Sequence, residues 1–256
     1  AGMWRGSAPA RSAPRKPGRV PDTLRGREIV LAGGAGGIGS AVTSLLAGVG
    51  ARLVVGYHRH PERAEKWREI ATVVEADITQ ANGRARLLDA APNLYGLVVL
   101  TGDPARLDEQ AAAMRLAHEV NYLGPILLAR EAAARMQAAG TPGAIVLTGT
   151  MQASALFPGS TAYAGAKAAL VHAARILAKE TRGPGNIRVN VVSPGVTAAG
   201  MAEASIAAGK YDRFLQDGTI PRYGRAEDVA RAIRFLLEPD SYITGQVLAV
   251  DGGITL

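Results

Sequence analysis

The chain has 256 residues, 48% of them hydrophobic and 20% charged, with 31 glycines and no cysteine. This is a globular composition rich in backbone turns, and the missing cysteine excludes disulfides, thiolate catalysis and cysteine-ligated zinc. The net charge of +7 raises a nucleic-acid partner, but aromatics are only 5%, no basic stripe interleaves with them and no apolar run is long enough to span a membrane, so neither nucleic acid nor membrane is expected as a partner.

Much of the charge is local. Residues 1–24 hold Arg5, Arg11, Arg15, Lys16 and Arg19 against Asp22, a net of +4, and they are rich in Pro, Ala and Ser without an apolar period. We read them as an extension preceding a single domain of residues 25–256. Ala1-Gly2 ahead of Met3 reads as an appended pair. The remainder is Arg-rich and almost free of acids, as organellar transit segments are, and it lacks the apolar core of a secretory signal. A solvated tail on a cytoplasmic protein is the preferred reading; organellar import stays open.

From Arg27 onward, apolar β-type runs alternate with helical patterns. The runs fall at 28–33, 51–57, 71–77, 95–102, 143–149, 187–193 and 245–252, and they lack a polar/apolar alternation. Strands covered by helices on both faces read this way, which predicts a parallel sheet. Helical patterns lie between them at 37–49, 61–69, 81–91, 105–139, 161–182, 200–216 and 226–238. Repeated β-α units give an α/β fold, a doubly wound seven-stranded parallel sheet of the Rossmann type, in one domain.

The first run leads directly into Gly33-Gly34-Ala35-Gly36-Gly37-Ile38-Gly39 and then a helix. A strand, a glycine-rich turn and a helix N-terminus form an anion site, because backbone N–H groups and the positive helix end face a pyrophosphate that side chains would obstruct. Gly33, Gly37, Ile38 and Gly39 are therefore candidate cofactor ligands. Dinucleotide folds that hold the ribose of NAD place an acid near the end of the second strand. Here that strand ends in Gly56-Tyr57-His58-Arg59-His60. A 2′-phosphate would meet Arg59 and His58 rather than a repelling acid, which favours NADP(H); the alternative is that Arg59 only solvates a loop. Asp77, with Ile78 behind it, ends the third run, placed either to accept from an adenine amino group or to cap the next helix, a role for which Thr79 competes.

Tyr163 and Lys167 are one helical turn apart, so phenol and ammonium share a face. An ordinary phenol titrates near pH 10 and is a poor acid or base at neutral pH, and a neighbouring cation lowers that value. Thr150 follows the fifth run, at a strand's carboxyl end, where open α/β sheets bind ligands. Asn121 lies in the long preceding helical pattern. Asn190-Val191-Val192-Ser193-Pro194-Gly195 closes the sixth run, and Asp251-Gly252-Gly253 follows later. The histidines show no metal spacing beyond His58 and His60 in a loop, and no metal is expected.

On these motifs together, residues 25–256 resemble a short-chain dehydrogenase/reductase, and among these the 3-oxoacyl-(acyl-carrier-protein) reductases. The family's Thr-Gly-x-x-x-Gly-x-Gly falls on Ala32, Gly33, Gly37 and Gly39, and its Asn-Ser-Tyr-Lys tetrad on Asn121, Thr150, Tyr163 and Lys167. The resemblance implies that Tyr163 donates a proton to a substrate carbonyl while Thr150 hydrogen-bonds the same oxygen. It implies that Lys167 holds the nicotinamide ribose and lowers the Tyr163 pKa, and that Asn121 anchors a water. Gly102 and the run Pro194, Gly195, Val196 and Thr197 would line the cofactor.

Four features depart from the family: Ala32 for Thr, Val99-Leu100-Thr101-Gly102 for Asn-Asn-Ala-Gly, Thr150 for Ser, and Ala199 for Thr. The expected function is an NADPH-dependent carbonyl reductase acting on a 3-oxoacyl thioester or similar small-molecule ketone. A dehydrogenase of alcohols, sugars or polyketides, and a catalytically impaired nucleotide-binding protein, are the alternatives. Arg182 lies near the helix end where carrier-protein reductases carry a basic residue, although Pro184-Gly185 blurs the register. Substrate choice is expected from 198–216, a mobile lid in relatives. Relatives also pair the helices matching 105–139 and 161–182, so a homotetramer with two-fold interfaces is expected.

Overall fold

The computed structural model describes residues 23–106, 109–183 and 185–256. The basic extension, apart from Thr23 and Leu24, lies outside the described residues, as does Pro184. Leu24 is fully buried against one face of the sheet, and the Thr23 hydroxyl bonds to the Glu238 carboxylate.

Seven strands form one sheet: β1 (Glu28–Ala32), β2 (Arg52–Tyr57), β3 (Thr72–Glu75), β4 (Leu94–Val99), β5 (Gly143–Thr148), β6 (Ile187–Pro194) and β7 (Val247–Val250). Their order is β3-β2-β1-β4-β5-β6-β7, and every pairing is parallel. The order reverses between β1 and β4, which opens a crevice at the carboxyl ends of those strands.

Successive side chains on a strand point to opposite faces, and both faces are apolar. Val30 and Ala32 of β1 pack on one side with Leu97, Ile145 and Val189, under α3 (Ala81–Asp89), α5 (Gly124–Ala138) and α6 (Thr161–Thr181). Ile29 and Leu31 pack on the other with Val55, Val98 and Val146, under α1 (Gly37–Gly48) and α9 (Ala226–Leu237). This two-sided burial is why no strand shows an alternating sequence.

The remaining helices are shorter than their patterns suggest. The pattern at 61–69 folds as α2 (Pro61–Ala64) and a 3-10 turn, Glu65–Trp67. That at 105–139 is broken into α4 (Gln110–His118), a π-turn Glu119–Leu123, and α5. Pro125 accounts for the break: four residues after Asn121, it has no N–H to give the Asn121 carbonyl, and its ring would clash there in a regular α turn. The pattern at 200–216 becomes a 3-10 turn Gly200–Ala202, α7 (Glu203–Ala207) and α8 (Arg213–Gln216). Gly209, at φ 70°, ends α7 in the left-handed conformation.

Candidate active site

The glycine-rich turn sits in the crevice above β1. Gly33 has φ 85°, a conformation that suits glycine. A Cβ on Gly39 would lie 2.1 Å from the Gly33 carbonyl oxygen, and one on Gly37 would lie 2.5 Å from the Gly200 backbone nitrogen. No side chain caps the N-terminus of α1 and no acid stands in its first turn, so that end is left for an anion. Three positions that tolerate only glycine, over an uncapped helix end, fit a bound pyrophosphate.

The crevice continues into a cleft of about 1520 Å³. It is lined by Gly33, Gly37, Ile38 and Gly39 on the turn and by His58, Arg59, Asp77 and Ile78 beyond β2 and β3. Gly102, Thr150, Tyr163 and Lys167 line its middle, and Pro194, Gly195, Val196 and Thr197 its far wall. Of the candidate catalytic and cofactor residues, all but Asn121 line the cleft.

Asn121 is fully buried in the π-turn. Its Oδ1 accepts from the Asp103 N–H at 3.0 Å, and its Nδ2 donates to the Asp103 carbonyl at 2.8 Å. Both ends of the amide therefore brace the loop after β4. A Cβ on Gly102 would lie 3.3 Å from the same Oδ1 and 3.9 Å from Lys167 Nζ, so Asn121 and Lys167 both approach one glycine.

Lys167 is 2% exposed. Its Nζ donates to the Thr148 carbonyl at 2.8 Å and to the Thr101 carbonyl at 3.5 Å. Burial without a carboxylate partner pushes its pKa down to about 8. Tyr163 is half-buried, one turn earlier on α6. Burial pushes its phenol up, the Thr150 hydroxyl pulls it down, and Tyr211 adds to the rise, leaving it above the ordinary value. The Lys167 ammonium is engaged by backbone carbonyls, and the influences on the phenol are burial, Thr150 and Tyr211, so Tyr163 is protonated at neutral pH. Thr150 is buried at the end of β5, and its Oγ1 accepts from the Gln152 N–H at 3.3 Å. The Thr101 and Thr148 hydroxyls beside this cluster are buried without a partner.

At the other end, the Asp77 Oδ1 accepts from the Thr79 N–H at 2.9 Å and from its hydroxyl at 2.8 Å. Burial opposes ionisation of Asp77, but these bonds, with His58 and Arg59 behind them, outweigh it and hold the carboxyl below its usual range. The Asp77 side chain thus makes a turn with Thr79, while Gln80 takes the position preceding α3. His58 Nε2 is 3.9 Å from Asp77 Oδ2. Arg59 is mostly exposed, and its Nη1 donates to Asp103 Oδ2 at 3.4 Å. The Tyr57 hydroxyl faces Glu75 Oε2 at 3.5 Å.

Several residues in or beside the cleft were not singled out in the sequence, although Glu203, Ser205 and Tyr211 fall in the segment 198–216 expected to choose substrate. Asp103 stands in a loop without periodicity. Tyr211, buried with Met151 and Val196 and packed by Phe157 and Phe214, closes the end nearest Tyr163. Arg106 Nη2 donates to Ser205 Oγ of α7 at 3.2 Å, and Glu203 Oε1 accepts from the Gly200 N–H at 2.8 Å. No group of three or more metal-ligating side chains exists among the described residues.

A parallel sheet with a glycine-rich turn at its switch point, and hydroxyl, phenol and ammonium groups beyond it, defines a nucleotide-dependent oxidoreductase. The family described as enoyl-(acyl carrier protein) reductase matches residues 33–255. An uncharacterized oxidoreductase of Methylorubrum extorquens is 34% identical over 90% of this chain and 98% of its own length. The chloroplastic NADPH-dependent aldehyde reductase 2 of Arabidopsis thaliana is 31% identical, over 92% of this chain and 96% of its own. Among solved structures, a 7 alpha-hydroxysteroid dehydrogenase complexed with NADH and 7-oxo glycochenodeoxycholic acid superposes with a TM-score of 0.83 at 30% identity, covering 91% of this chain and 96% of that one. The chain belongs to the short-chain dehydrogenase/reductase family and is an NAD(P)-dependent oxidoreductase.

Proposed function

We propose that the protein is an NADPH-dependent carbonyl reductase whose substrate is a 3-oxoacyl thioester or a ketone of similar shape. The observation that carries this reading is the convergence of Thr150, Tyr163 and Lys167 on one cleft beside the glycine-rich turn. Bound in the cleft, the reduced cofactor would supply a hydride to the carbonyl carbon. Tyr163, held protonated by burial, donates its proton to the carbonyl oxygen as charge develops there, and the Thr150 hydroxyl hydrogen-bonds the same oxygen. Lys167 keeps a charged ammonium beside the site below pH about 8. It holds the ribose hydroxyls and stabilises the phenolate left after proton transfer. Asn121 fixes the Asp103 loop through its side chain, and its backbone carbonyl, without an α-helical donor, is the group we assign to a water in the proton relay.

NADPH is favoured by His58, Arg59, Arg63 and Lys66 lining the adenosine end, with no acid at Tyr57. One relative is NADPH-dependent by name and another is complexed with NADH, so the preference rests on this chain's own residues. The apolar chamber of Met151, Phe157 and Tyr211 suits an uncharged ketone carbon chain, and it suits a cyclic ketone equally. The test is NADPH oxidation with a short 3-oxoacyl thioester beside simple and cyclic ketones. Turnover of the thioester supports the reading; turnover of cyclic ketones alone moves it to a free-ketone reductase; no turnover of any carbonyl favours a nucleotide-binding protein without activity.

We further propose a homotetramer. Phe235, Tyr242, Val247 and Leu256 are exposed around the edge strand β7, and Ile176 is exposed on α6, which supports two-fold contacts at both places. A monomer by light scattering at micromolar concentration would sink this. A cytoplasmic location belongs to the same proposal. No helix among the described residues is long and apolar enough to cross a membrane, and organelle import of a fluorescent fusion carrying residues 1–24 would overturn it.

A further inference from the structure

Arg59 has a partner that no local sequence pattern points to. It follows β2, and Asp103 follows β4; β1 lies between those strands, with the glycine-rich turn above its end. The contact between Arg59 Nη1 and Asp103 Oδ2, at 3.4 Å, therefore reaches across the cleft above the turn.

The two partners are held very differently. The Asp103 backbone is fixed at both its N–H and its carbonyl by Asn121. Its Oδ1 accepts from the Ala105 N–H at 2.8 Å, and Ala105 sits at φ 51°, a conformation an alanine adopts only when its surroundings impose it. Arg59 hangs from a loop, with its side chain 61% exposed. Any third charge that competes for the pair will move Arg59 and leave Asp103 where it is.

We propose that Asp103 is a specificity-determining residue that competes with the cofactor's 2′-phosphate for Arg59. The inference rests on the NADPH reading above. A phosphate takes the guanidinium by charge-assisted hydrogen bonds and leaves the fixed carboxylate without its partner. A 2′-hydroxyl carries no charge and makes no such demand, so Arg59 stays with Asp103. The carboxylate thus narrows the preference for NADPH that Arg59 creates.

The experiment is calorimetric titration of NADPH and NADH against the full chain as wild type, Asp103→Asn, Arg59→Ala and the double variant. Asparagine keeps an oxygen for the Ala105 N–H and removes the charge; Asp103→Ser, which also offers an oxygen there, repeats the measurement if the first variant does not fold. Asp103→Asn should tighten NADPH about two- to fivefold, the range for an exposed ion pair, and leave NADH nearly unchanged. The gain should shrink at high salt and vanish in the Arg59→Ala background. Equal tightening of both cofactors, or a gain that survives without Arg59, overturns the proposal. Equal affinities in the wild type overturn the NADPH reading alone, provided Asp103→Asn then creates a preference; if neither protein prefers NADPH, both fall.

Discussion

The two ends of the cleft are built to different standards. At the end holding Tyr163 and Lys167, the functional groups stand on α6 and immediately after β5, where Thr150 is buried. Lys167 is buried against two carbonyls, and Asn121 is spent entirely on backbone. At the other end, His58 and Arg59 sit in the loop after β2, exposed, with partners at 3.9 and 3.4 Å. Groups that must meet a reacting carbonyl within a fraction of an ångström belong on packed elements, whereas groups that meet a flexible phosphate through charge tolerate a loop. Rate should therefore depend on the first end and cofactor choice on the second, with little crossover.

Tyr163→Phe offers the largest separation of the two. The phenol acts in the transition state more than in cofactor affinity, so turnover should fall about 10²–10⁴-fold. NADPH affinity, read by titration, should stay within about twofold of the wild type. A Phe variant that bound NADPH tenfold more weakly would show that the two ends are coupled. Thr150→Ala comes next, with an expected loss of about 10²–10³ in kcat, as for a single oxyanion donor. Thr150→Ser keeps the hydroxyl and should keep or raise activity. Wild-type turnover in Thr150→Ala would remove Thr150 from the proposed tetrad.

The second end is probed by cofactor preference. Arg59→Ala should weaken NADPH about tenfold at low salt and leave NADH nearly unchanged; the figure is modest because the guanidinium is exposed and screened. Tyr57→Asp should reverse the preference by offering an acceptor to ribose hydroxyls and repelling phosphate. Titration of both cofactors against both variants decides, and a change in kcat without a change in preference would break the division of labour.

The sheet was legible because burial on both faces writes itself as continuous apolar runs, and the turn because Gly33, Gly37 and Gly39 have no substitute there. The Tyr163–Lys167 spacing was legible because helical periodicity alone puts them on one face. The loops were not. Asp103 meets Arg59 from 44 positions away, a contact set by strand order and invisible to any local pattern. The π-turn was hidden because alanine-rich helical periodicity runs through it unbroken, although Pro125 marks the place. The segment from 200 to 216 has the composition of a helix, and the left-handed Gly209 divides α7 from α8.

The smallest effect tests the better-built end by pH. Lys167 titrates at about 8 instead of 10.5 because burial disfavours its charge. If the ammonium is the working form, turnover at saturating cofactor and carbonyl should nearly halve between pH 7 and 8 and keep falling above that. Burial holds the Tyr163 phenol above its ordinary range, so it titrates at higher pH than Lys167. Stability should move the other way. Between about pH 8 and 10.5 the unfolded chain binds a proton at this position that the folded chain has released, so this lysine's contribution to stability rises with pH across that window. A falling rate with a steady or rising melting temperature from pH 8 to 9.5 separates local titration of Lys167 from alkaline unfolding. Lys167→Met supplies the reference for the stability half. Its melting temperature relative to wild type should be highest below pH 8, where the wild type carries the buried charge, and should decline as that charge is lost. A difference that stays constant with pH would mean that Lys167 keeps its proton throughout and that the loss of rate has another source.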